Sequence, residues 1–152
     1  MMTRPVMATR LTEEELPALA ALLASEGLPN EDITAPGRRF WRLDGPGGLV
    51  GYGGLEVYGR DGLLRSVVIP PERRHKGDGR AAVEAVCREA MALGLDRLWL
   101  LTTGAAGFFE RIGFERAERS EAPPDIRASA QFTDLCPGSA VCLRRDLVQQ
   151  NI

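Results

Sequence analysis

The sequence contains few of the residues on which disulfide-rich and metal-binding proteins depend. Three of its 152 residues are cysteine and one is histidine. The cysteines are scattered, with no Cys-x-x-Cys pair, which argues against a disulfide framework and a structural metal site. No apolar run reaches the ~18 residues of a membrane span, so no membrane partner is expected. The first residues also lack the apolar segment of a signal peptide, which favours a cytoplasmic protein with reduced thiols.

An excess of positive charge is missing as well. The chain has 19 Lys and Arg residues against 21 Asp and Glu residues, a formal net charge of −2. Acidic residues accompany the basic ones almost everywhere, which argues against a nucleic-acid-binding surface. Hydrophobic residues make up 44% of the chain and charged residues 26%, as is typical of a globular protein. The length predicts a single domain over residues 1–152.

Hydrophobic periodicity and turn residues predict an α/β fold with a mixed sheet. Glycine-rich joints at 44–48 and 59–62 favour hairpins, so the middle of the chain should form an antiparallel meander that feeds one β-α-β unit. The expected strands are 6–10, 40–43, 49–58, 63–69, 97–101, 114–119 and 140–147. The expected helices are 12–25, 79–93, 105–112 and 123–130.

A cationic glycine turn stands between one of these strands and the helix that follows it. Residues 73–80 read Arg-Arg-His-Lys-Gly-Asp-Gly-Arg. The two glycines permit positive φ and a close approach of the backbone to a ligand. The unpaired N–H groups at the start of a helix favour phosphate. This order of strand, turn and helix predicts an anion site, with a polyphosphate as its ligand.

The same glycines also fit the dinucleotide fingerprint G-x-G-x-x-G/A. A Rossmann unit, however, places its glycines after the first strand of the fold and an acid at the end of the second strand. Here other strands come first, and Asp96 precedes its strand instead of ending it. A Walker P-loop is excluded because no Lys-Ser/Thr follows the glycines. The nucleotide-binding interpretations are therefore disfavoured.

The pattern that fits best is Arg/Gln-x-x-Gly-x-Gly/Ala, present as Arg74-His75-Lys76-Gly77-Asp78-Gly79. It closely resembles the acetyl-CoA loop of the GCN5-related N-acetyltransferases (GNAT). Residues 105–114 are similar to a second signature of that family, A-x-x-F-Y-x-x-x-G-F. The resemblance extends over almost the whole chain. Four further segments resemble the branch associated with arsenic-resistance operons, at 54–59, 62–67, 100–103 and 132–140.

The resemblance implies a mostly antiparallel central sheet, splayed at the acetyl-CoA site and flanked by helices. It implies transfer of an acetyl group from acetyl-CoA to a small amine, such as an amino acid or a toxic analogue in detoxification, without a metal. Homodimer formation is left open. A bulge near Ser66 would aim one N–H at the thioester carbonyl. The positions implied for acetyl-CoA are Val67, Val68, Ile69, Arg74, His75, Lys76, Gly77, Asp78, Gly79, Arg80, Thr102, Phe108 and Phe109.

The acceptor amine must lose a proton before it attacks. An alkyl amine of pKa near 10 is only about one part in a thousand free base at neutral pH. Glu56 is the candidate base, acting through water, because it alternates with Tyr52 and Tyr58 on one strand face. It could equally be a solvent-exposed strand residue. The positions assigned to catalysis are Glu56, Tyr58 and Ser66.

Three residues are assigned to the substrate. Arg65 lies in an apolar strand, where an unpaired charge would be costly. It binds an acidic substrate group or forms an ion pair with Glu56 or Asp61. Thr103 ends the next strand, and Arg127 belongs to a segment that could cover the pocket or could simply carry a surface charge.

One position departs from the family pattern. Many relatives carry a tyrosine, which protonates the departing thiolate, where this chain has Phe109. Either Tyr58, Thr102, Thr103 or water supplies the proton, or the thiolate leaves unassisted. The missing hydroxyl keeps a second function open, that of a non-catalytic acyl-CoA-binding sensor or regulatory module.

The cysteines raise a third hypothesis, a thiol-based metalloid sensor. Cys136 and Cys142 lie six residues apart across a Pro-Gly turn, which is not a recognised ligand set. Cys142 alternates into a strand, and Cys87 falls on the apolar stripe of a helix, so both are expected in the core. His75, the single histidine, is expected to face the ligand or solvent and not to act as a base.

Overall fold

The computed structural model describes residues 6–73, 77–135 and 138–147. Its centre is a seven-stranded sheet in the order β1-β2-β3-β4-β5-β7-β6. The strands are β1 (Met7–Arg10), β2 (Arg38–Gly45), β3 (Gly48–Tyr58), β4 (Asp61–Val68), β5 (Arg97–Thr102), β6 (Glu115–Arg116) and β7 (Val141–Asp146). The α-helices are α1 (Leu16–Ser25), α2 (Asp78–Ala92), α3 (Ala106–Arg111) and α4 (Pro124–Arg127). Every neighbouring pair of strands is antiparallel except β4 and β5, which are parallel. The predicted mixed sheet with one β-α-β unit is confirmed.

The two faces of the sheet are covered by different elements. On one face, α2 buries Val83, Val86 and Cys87 in the largest apolar cluster, together with Leu55 and Leu98. The opposite face carries two smaller clusters. One joins α1 to β2 and the end of β4, and the other joins β5 and β7 to α4. The middle of this second face, between the two clusters, holds polar side chains from β3 and β4.

The parallel strands β4 and β5 pair over a short distance. Asp61, Gly62 and Leu63 are in register with Arg97, Leu98 and Trp99, and no further pair follows among the described residues. Yet β4 continues to Val68 and β5 to Thr102. The two strands therefore part halfway along, and a cleft opens between their C-terminal halves. This is the splay that the family resemblance implies.

Local hydrogen bonds shorten two of the expected elements. The strand expected at 114–119 is only Glu115–Arg116, because a capping box between Glu118 and Glu121 begins a 3-10 turn. The helix expected at 123–130 ends at Arg127, where the Ser129 hydroxyl bonds back to the carbonyl of Ile126. Such side-chain bonds compete with regular structure. The strand β2 is longer than expected, and Ile69 lies just beyond β4.

The first helical turn is correctly placed but of a different type. Thr12 and Glu15 form the predicted capping box, with the Thr12 N–H donating to Glu15 over 2.9 Å. This first turn, Glu13–Glu15, is a 3-10 helix, and α1 follows it directly.

Within the described part of the chain, no helix combines the length and the hydropathy that a bilayer crossing requires.

Close contact between α2 and β3 depends on Gly53. A Cβ atom added at Gly53 would lie 2.7 Å from Cγ2 of Val86. Valine is stiff at χ1 and cannot easily turn away. We expect Gly53→Ala to lower the free energy of unfolding by about 1–3 kcal/mol, as overpacking does. Urea unfolding of the purified variant measures the change.

A double variant and a glycine control make the reason for this loss testable. In Gly53→Ala/Val86→Ala the new methyl group enters the space that the valine leaves, so the double variant should be more stable than the sum of the two single effects. A Cβ atom at Gly104 would meet no atom within 4 Å. Gly104→Ala should therefore change stability by less than about 0.5 kcal/mol. Additive single effects would contradict this explanation.

Candidate functional site

The cleft between β4 and β5 has a volume of about 290 Å³. Residues of both strands form its walls, including Ser66 and Val67 on β4 and Thr102 on β5. The start of the loop between α1 and β2 covers one end, and Gln131, from the π-helical turn Gln131–Leu135, covers another. The lining residues are Gly27, Leu28, Pro29, Leu64, Arg65, Ser66, Val67, Leu100, Leu101, Thr102, Thr103, Ala105, Phe109 and Gln131.

A bulge interrupts β4 at the cleft. Tyr52 pairs with Val68 and Gly54 pairs with Arg65, so β4 holds one more residue than β3 between these pairs. Ser66 has φ 57°, and no other described residue except glycine has a positive φ. A non-glycine residue in this region is strained by about 1–3 kcal/mol. The bulge expected near Ser66 is therefore present, and it faces the cleft.

Beneath the bulge lies a cluster of four charged side chains, which we call the ionic cluster: Asp32, Arg38, Glu56 and Arg65. Arg65 donates to both oxygens of Asp32, from Nη1 over 2.5 Å and from Nη2 over 2.6 Å. Its Nη1 also donates to Oε2 of Glu56 over 2.9 Å. Arg38 donates from Nη2 to Oδ2 of Asp32 over 3.0 Å.

Two members of the ionic cluster are almost closed to water, and the Arg38 and Asp32 side chains are only 13% and 14% exposed. Glu56 is 1% exposed and Arg65 is 4% exposed, which overturns the alternative that Glu56 is a solvent-exposed strand residue. For Arg65, the structure shows the ion pair with Glu56. Asp61 instead accepts a hydrogen bond from Nε1 of Trp99 over 3.2 Å. Buried charges of this kind persist only when they are paired and hydrogen-bonded.

Neighbouring groups set the protonation of the cluster. Burial would raise the pKa of Asp32, but hydrogen bonds from Arg65 and Arg38 outweigh burial, so the pKa lies below its ordinary value. Tyr58 donates its hydroxyl proton to Glu56. Burial and this hydrogen bond to a carboxylate both raise the pKa of Tyr58. Tyr58 is therefore a phenol and Asp32 a carboxylate at neutral pH.

The other predicted residues lie at several different places. Thr102, Thr103 and Phe109 line the cleft. Gly79 lies close to Phe108 and Ile69, since a Cβ atom at Gly79 would come within 3.2 Å of the Phe108 ring and 4.0 Å of Ile69. Arg127 is exposed and does not line the cleft. Asp78 and Arg80 begin α2, directly after Gly77, which has φ 79°. The predicted residues Arg74, His75 and Lys76 lie outside the described residues.

Sequence reasoning missed Asp32, Arg38 and Gln131. Asp32 and Arg38 stand in a polar stretch with no periodicity. The bond of Asp32 to Arg65 on β4 spans 33 positions, and Arg38 joins the ionic cluster through Asp32. One signal was available: Arg65 in an apolar strand requires an acidic partner. The sequence could not show that the main partner would come from this distant loop.

The described cysteines are core residues, as expected. Burial raises the pKa of Cys87 to about 11 and that of Cys142 to about 11. Their sulfur atoms are therefore thiols at neutral pH, while metalloids and metals bind thiolates. No group of three potential metal ligands occurs within residues 6–73, 77–135 and 138–147. Cys136 lies outside these ranges.

A larger groove of about 620 Å³ runs along β6 and β7. Its charged side chains are Arg116, Glu118, Arg119 and Glu121. Arg119 donates to the carbonyls of Phe132 and Ala140, and Arg144 lies 3.8 Å from Glu121. These contacts hold the surface together, and the groove has neither a strand opening nor a bulge. The smaller cleft is the better candidate site.

Comparison with known proteins identifies similar proteins. The family model described as acetyltransferase (GNAT) domain matches residues 36–116, just over half of the chain and including both cleft strands. An amino-acid acetyltransferase of Pasteurella multocida is 26% identical over 76% of the chain, which covers 28% of that relative. One from Mycobacterium tuberculosis is 31% identical over 65% of the chain, which covers 56% of that relative. The chain thus spans only part of the curated relatives it matches.

Solved structures show the same fold. N-acetylglutamate synthase of Neisseria gonorrhoeae, in complex with coenzyme A and N-acetyl-glutamate, has a TM-score of 0.77 at 21% identity. The match covers 97% of the chain and 36% of the synthase. A Mycobacterium tuberculosis protein in complex with CoA has a TM-score of 0.74 at 24% identity, with 93% of the chain and 99% of that protein covered.

The depressed pKa of Asp32 predicts how stability depends on pH. Because the folded carboxyl binds its proton more weakly than the unfolded one, its contribution is present above the ordinary value of 3.8 and is lost as pH falls through the folded pKa. Between about pH 5 and pH 3, the free energy of unfolding should fall more steeply in the wild type than in Asp32→Asn. Urea unfolding across this range measures both slopes. Equal slopes would contradict the assignment.

The ion pair of Arg60 with Asp96 is the matched control. It also joins a guanidinium to both oxygens of a carboxylate, at 2.5 and 3.0 Å, but its side chains are 75% and 60% exposed. Salt screens exposed pairs more strongly than buried ones. In ~1 M NaCl the effect of Asp96→Asn should vanish, while that of Asp32→Asn should persist.

Proposed function

The chain belongs to the acetyltransferase (GNAT) domain family, and from this membership we propose that it is an acetyl-CoA-dependent N-acetyltransferase. The proposed acceptor is the amine of a small molecule of the amino-acid class. The observation that carries the proposal is the cleft between β4 and β5, with the Ser66 bulge in its wall. The relatives' names support the acceptor class.

The geometry of β4 suits a thioester with a pantetheine arm. Beyond Leu63 the β5 side of β4 has no strand partner in the described chain, so backbone groups there can pair with the amides of pantetheine as an added strand would. Gly79 keeps the start of α2 close to Phe108. The N-terminus of α2 follows Gly77 and supplies the N–H groups that favour a pyrophosphate. Arg74 and Arg80 are the proposed side-chain contacts.

In the proposed reaction the amine nitrogen attacks the thioester carbonyl. A carbon–nitrogen bond forms, the carbon–sulfur bond breaks, and the amine loses one proton while the thiolate gains one. An N–H of the bulge would stabilise the negative charge that develops on the carbonyl oxygen. Glu56 is the proposed acceptor of the amine proton, through water or through the Tyr58 hydroxyl, which already donates to it.

The resemblance to the arsenic-resistance branch supports a more specific proposal for the acceptor amine. That resemblance favours a toxic amino-acid analogue and a role in detoxification. Among residues 6–73, 77–135 and 138–147, no lining residue of the cleft other than Arg65 is charged. The charges of the two acids and two arginines in the ionic cluster sum to zero. The cleft should therefore select among amines by hydrogen bonds and shape. A panel of amines must therefore include neutral, acidic and analogue amino acids.

A non-catalytic acyl-CoA-binding module is the competing function. The observation in its favour is Phe109, which lines the cleft without a hydroxyl. A thiol with a pKa near 8.5 is a tolerable leaving group, so turnover does not require a phenol here. Saturable binding of acetyl-CoA without thiol release across the whole panel would favour the module.

The decisive experiment is thiol release from acetyl-CoA on addition of each amine. We expect at least one amino acid or analogue to be acetylated, and Glu56→Gln to lower kcat by about 100-fold or more, since general bases contribute 10²- to 10⁴-fold. The KM for acetyl-CoA should change little. Calorimetric binding of CoA and thermal unfolding show whether the variant is intact.

The matched control is Glu14→Gln, which makes the same change at an exposed residue of the first helical turn. It should leave both kcat and KM at wild-type values. Full activity of Glu56→Gln with its best amine would overturn the base assignment, while the acetyltransferase proposal would stand. No turnover by the wild type on any amine would overturn the catalytic proposal itself.

A further inference from the structure

All three nitrogen atoms of the Arg65 guanidinium have protein partners. Nε donates to Oγ of Ser66 over 3.1 Å, Nη1 to Asp32 and Glu56, and Nη2 to Asp32. Its central carbon lies 5.6 Å from the centre of the Phe40 ring. A guanidinium is a planar fork with fixed donor directions. These contacts therefore fix the position of the guanidinium against four parts of the structure: β2, β3, the bulge, and the loop between α1 and β2.

One side of this fork holds the loop between α1 and β2, residues 26–37. The first part of the loop, Gly27 to Pro29, lines the cleft. Asp32, further along, binds Arg65 through both carboxylate oxygens and is held from the other side by Arg38. The position of the cleft wall thus depends on a charge-assisted bidentate contact with β4.

The other side of the fork holds the bulge. Arg65 is the last regular residue before Ser66 and stands opposite Gly54. A Cβ atom at Gly54 would come within 2.5 Å of the Phe40 ring, so the glycine makes room for the ring under the guanidinium. Because Asp32 and Glu56 anchor Arg65, β4 cannot slip by one residue to remove the bulge. The Nε bond then holds the Ser66 side chain directly.

We propose that Arg65 is a positioning residue that joins the loop 26–37 to the Ser66 bulge. It thereby fixes the cleft wall formed by Gly27 to Pro29 relative to the backbone N–H groups of the bulge. This inference rests on the proposed function. Of the two roles that the sequence left open for Arg65, a ligand of an acidic substrate group or an ion pair with Glu56 or Asp61, it favours the ion pair with Glu56. The reason is that Asp32, Glu56 and Ser66 already take four of its five N–H donors, and the ionic cluster as a whole has no net charge.

The test is a pair of conservative substitutions analysed by steady-state kinetics with the best amine. Arg65→Lys keeps the charge but loses the fork and the Nε donor. We expect its kcat to fall about 10- to 100-fold, as small displacements of catalytic groups do, with the KM for acetyl-CoA changed less than about threefold. Asp32→Asn keeps the shape of the side chain and should mainly raise the KM for the amine.

Ser66→Ala separates positioning from substrate binding. If Arg65 acts through the Ser66 hydroxyl, the double variant Arg65→Lys/Ser66→Ala should be no worse than Arg65→Lys alone, so the two effects are not additive. A direct substrate contact predicts instead that Arg65→Lys raises the KM for acidic amines only. That result, or a loss of thermal stability with unchanged kcat, would overturn the proposal.

A measurement that needs no turnover tests the same coupling. In ¹⁵N spectra of the full chain, Arg65→Lys should shift the amide signals of Ser66 and Val67 and speed their hydrogen exchange. Arg97→Lys is the control, because Arg97 pairs with Asp146 over 2.6 Å at a 41% exposed site on β5. Unchanged bulge amides in Arg65→Lys would overturn the proposal. If the wild type acetylates nothing but the amides respond as expected, only the proposed function fails.

Discussion

The candidate site depends on the parting of two parallel strands. Gly62 allows β5 to approach β4 closely, since a Cβ atom there would lie 2.7 Å from Leu95 and 2.9 Å from Leu98. Only four residues later, the Ser66 bulge bends β4 and increases its twist. Both strands keep their other neighbours, because β4 pairs with β3 and β5 pairs with β7 along six residues. The sheet can therefore open in its middle without losing the hydrogen bonds that hold it together.

The ionic cluster is better explained by geometry than by stability. Buried ion pairs seldom add net stability, because the loss of hydration offsets the attraction between the charges. What such a cluster supplies is a fixed arrangement, as each charge accepts few alternative positions. Here the arrangement links Asp32, from a loop without regular structure, to Glu56 and Arg65 on adjacent strands. The same loop is also held by the partly buried Leu28 and the buried Ile33, and by a backbone bond from the Val57 N–H to the carbonyl of Gly37.

The sequence predicted the order of elements and the cleft strands well, because both follow from local patterns. Alternation and glycine turns define β3 and β4, and the glycine turn before α2 points to a polyphosphate. The ionic cluster could not be predicted in the same way. Its partners are 33 positions apart for Asp32 and Arg65, and only tertiary packing brings them together. The burial of Glu56 also could not be predicted from alternation along the strand. Alternation shows which residues share a face of the sheet, but it does not show whether other elements cover that face.

The hydroxyl groups near the cleft differ in whether they already donate a hydrogen bond. This difference matters because Phe109 has no hydroxyl with which to protonate a departing thiolate. The Tyr58 proton is engaged by Glu56. The Ser66 oxygen accepts a hydrogen bond from Arg65, so its own O–H remains a donor, but Ser66 belongs to the bulge itself. The Thr102 oxygen accepts the N–H of Ala105 over 3.1 Å, which leaves its own O–H as a donor. Thr102 also ends β5 in the cleft wall, on the strand opposite the bulge. If the bulge holds the carbonyl oxygen of the thioester, Thr102 faces it from the other strand, whereas Tyr58 is not among the lining residues of the cleft. We therefore propose Thr102, and not Tyr58, as the donor of the proton to the departing thiolate.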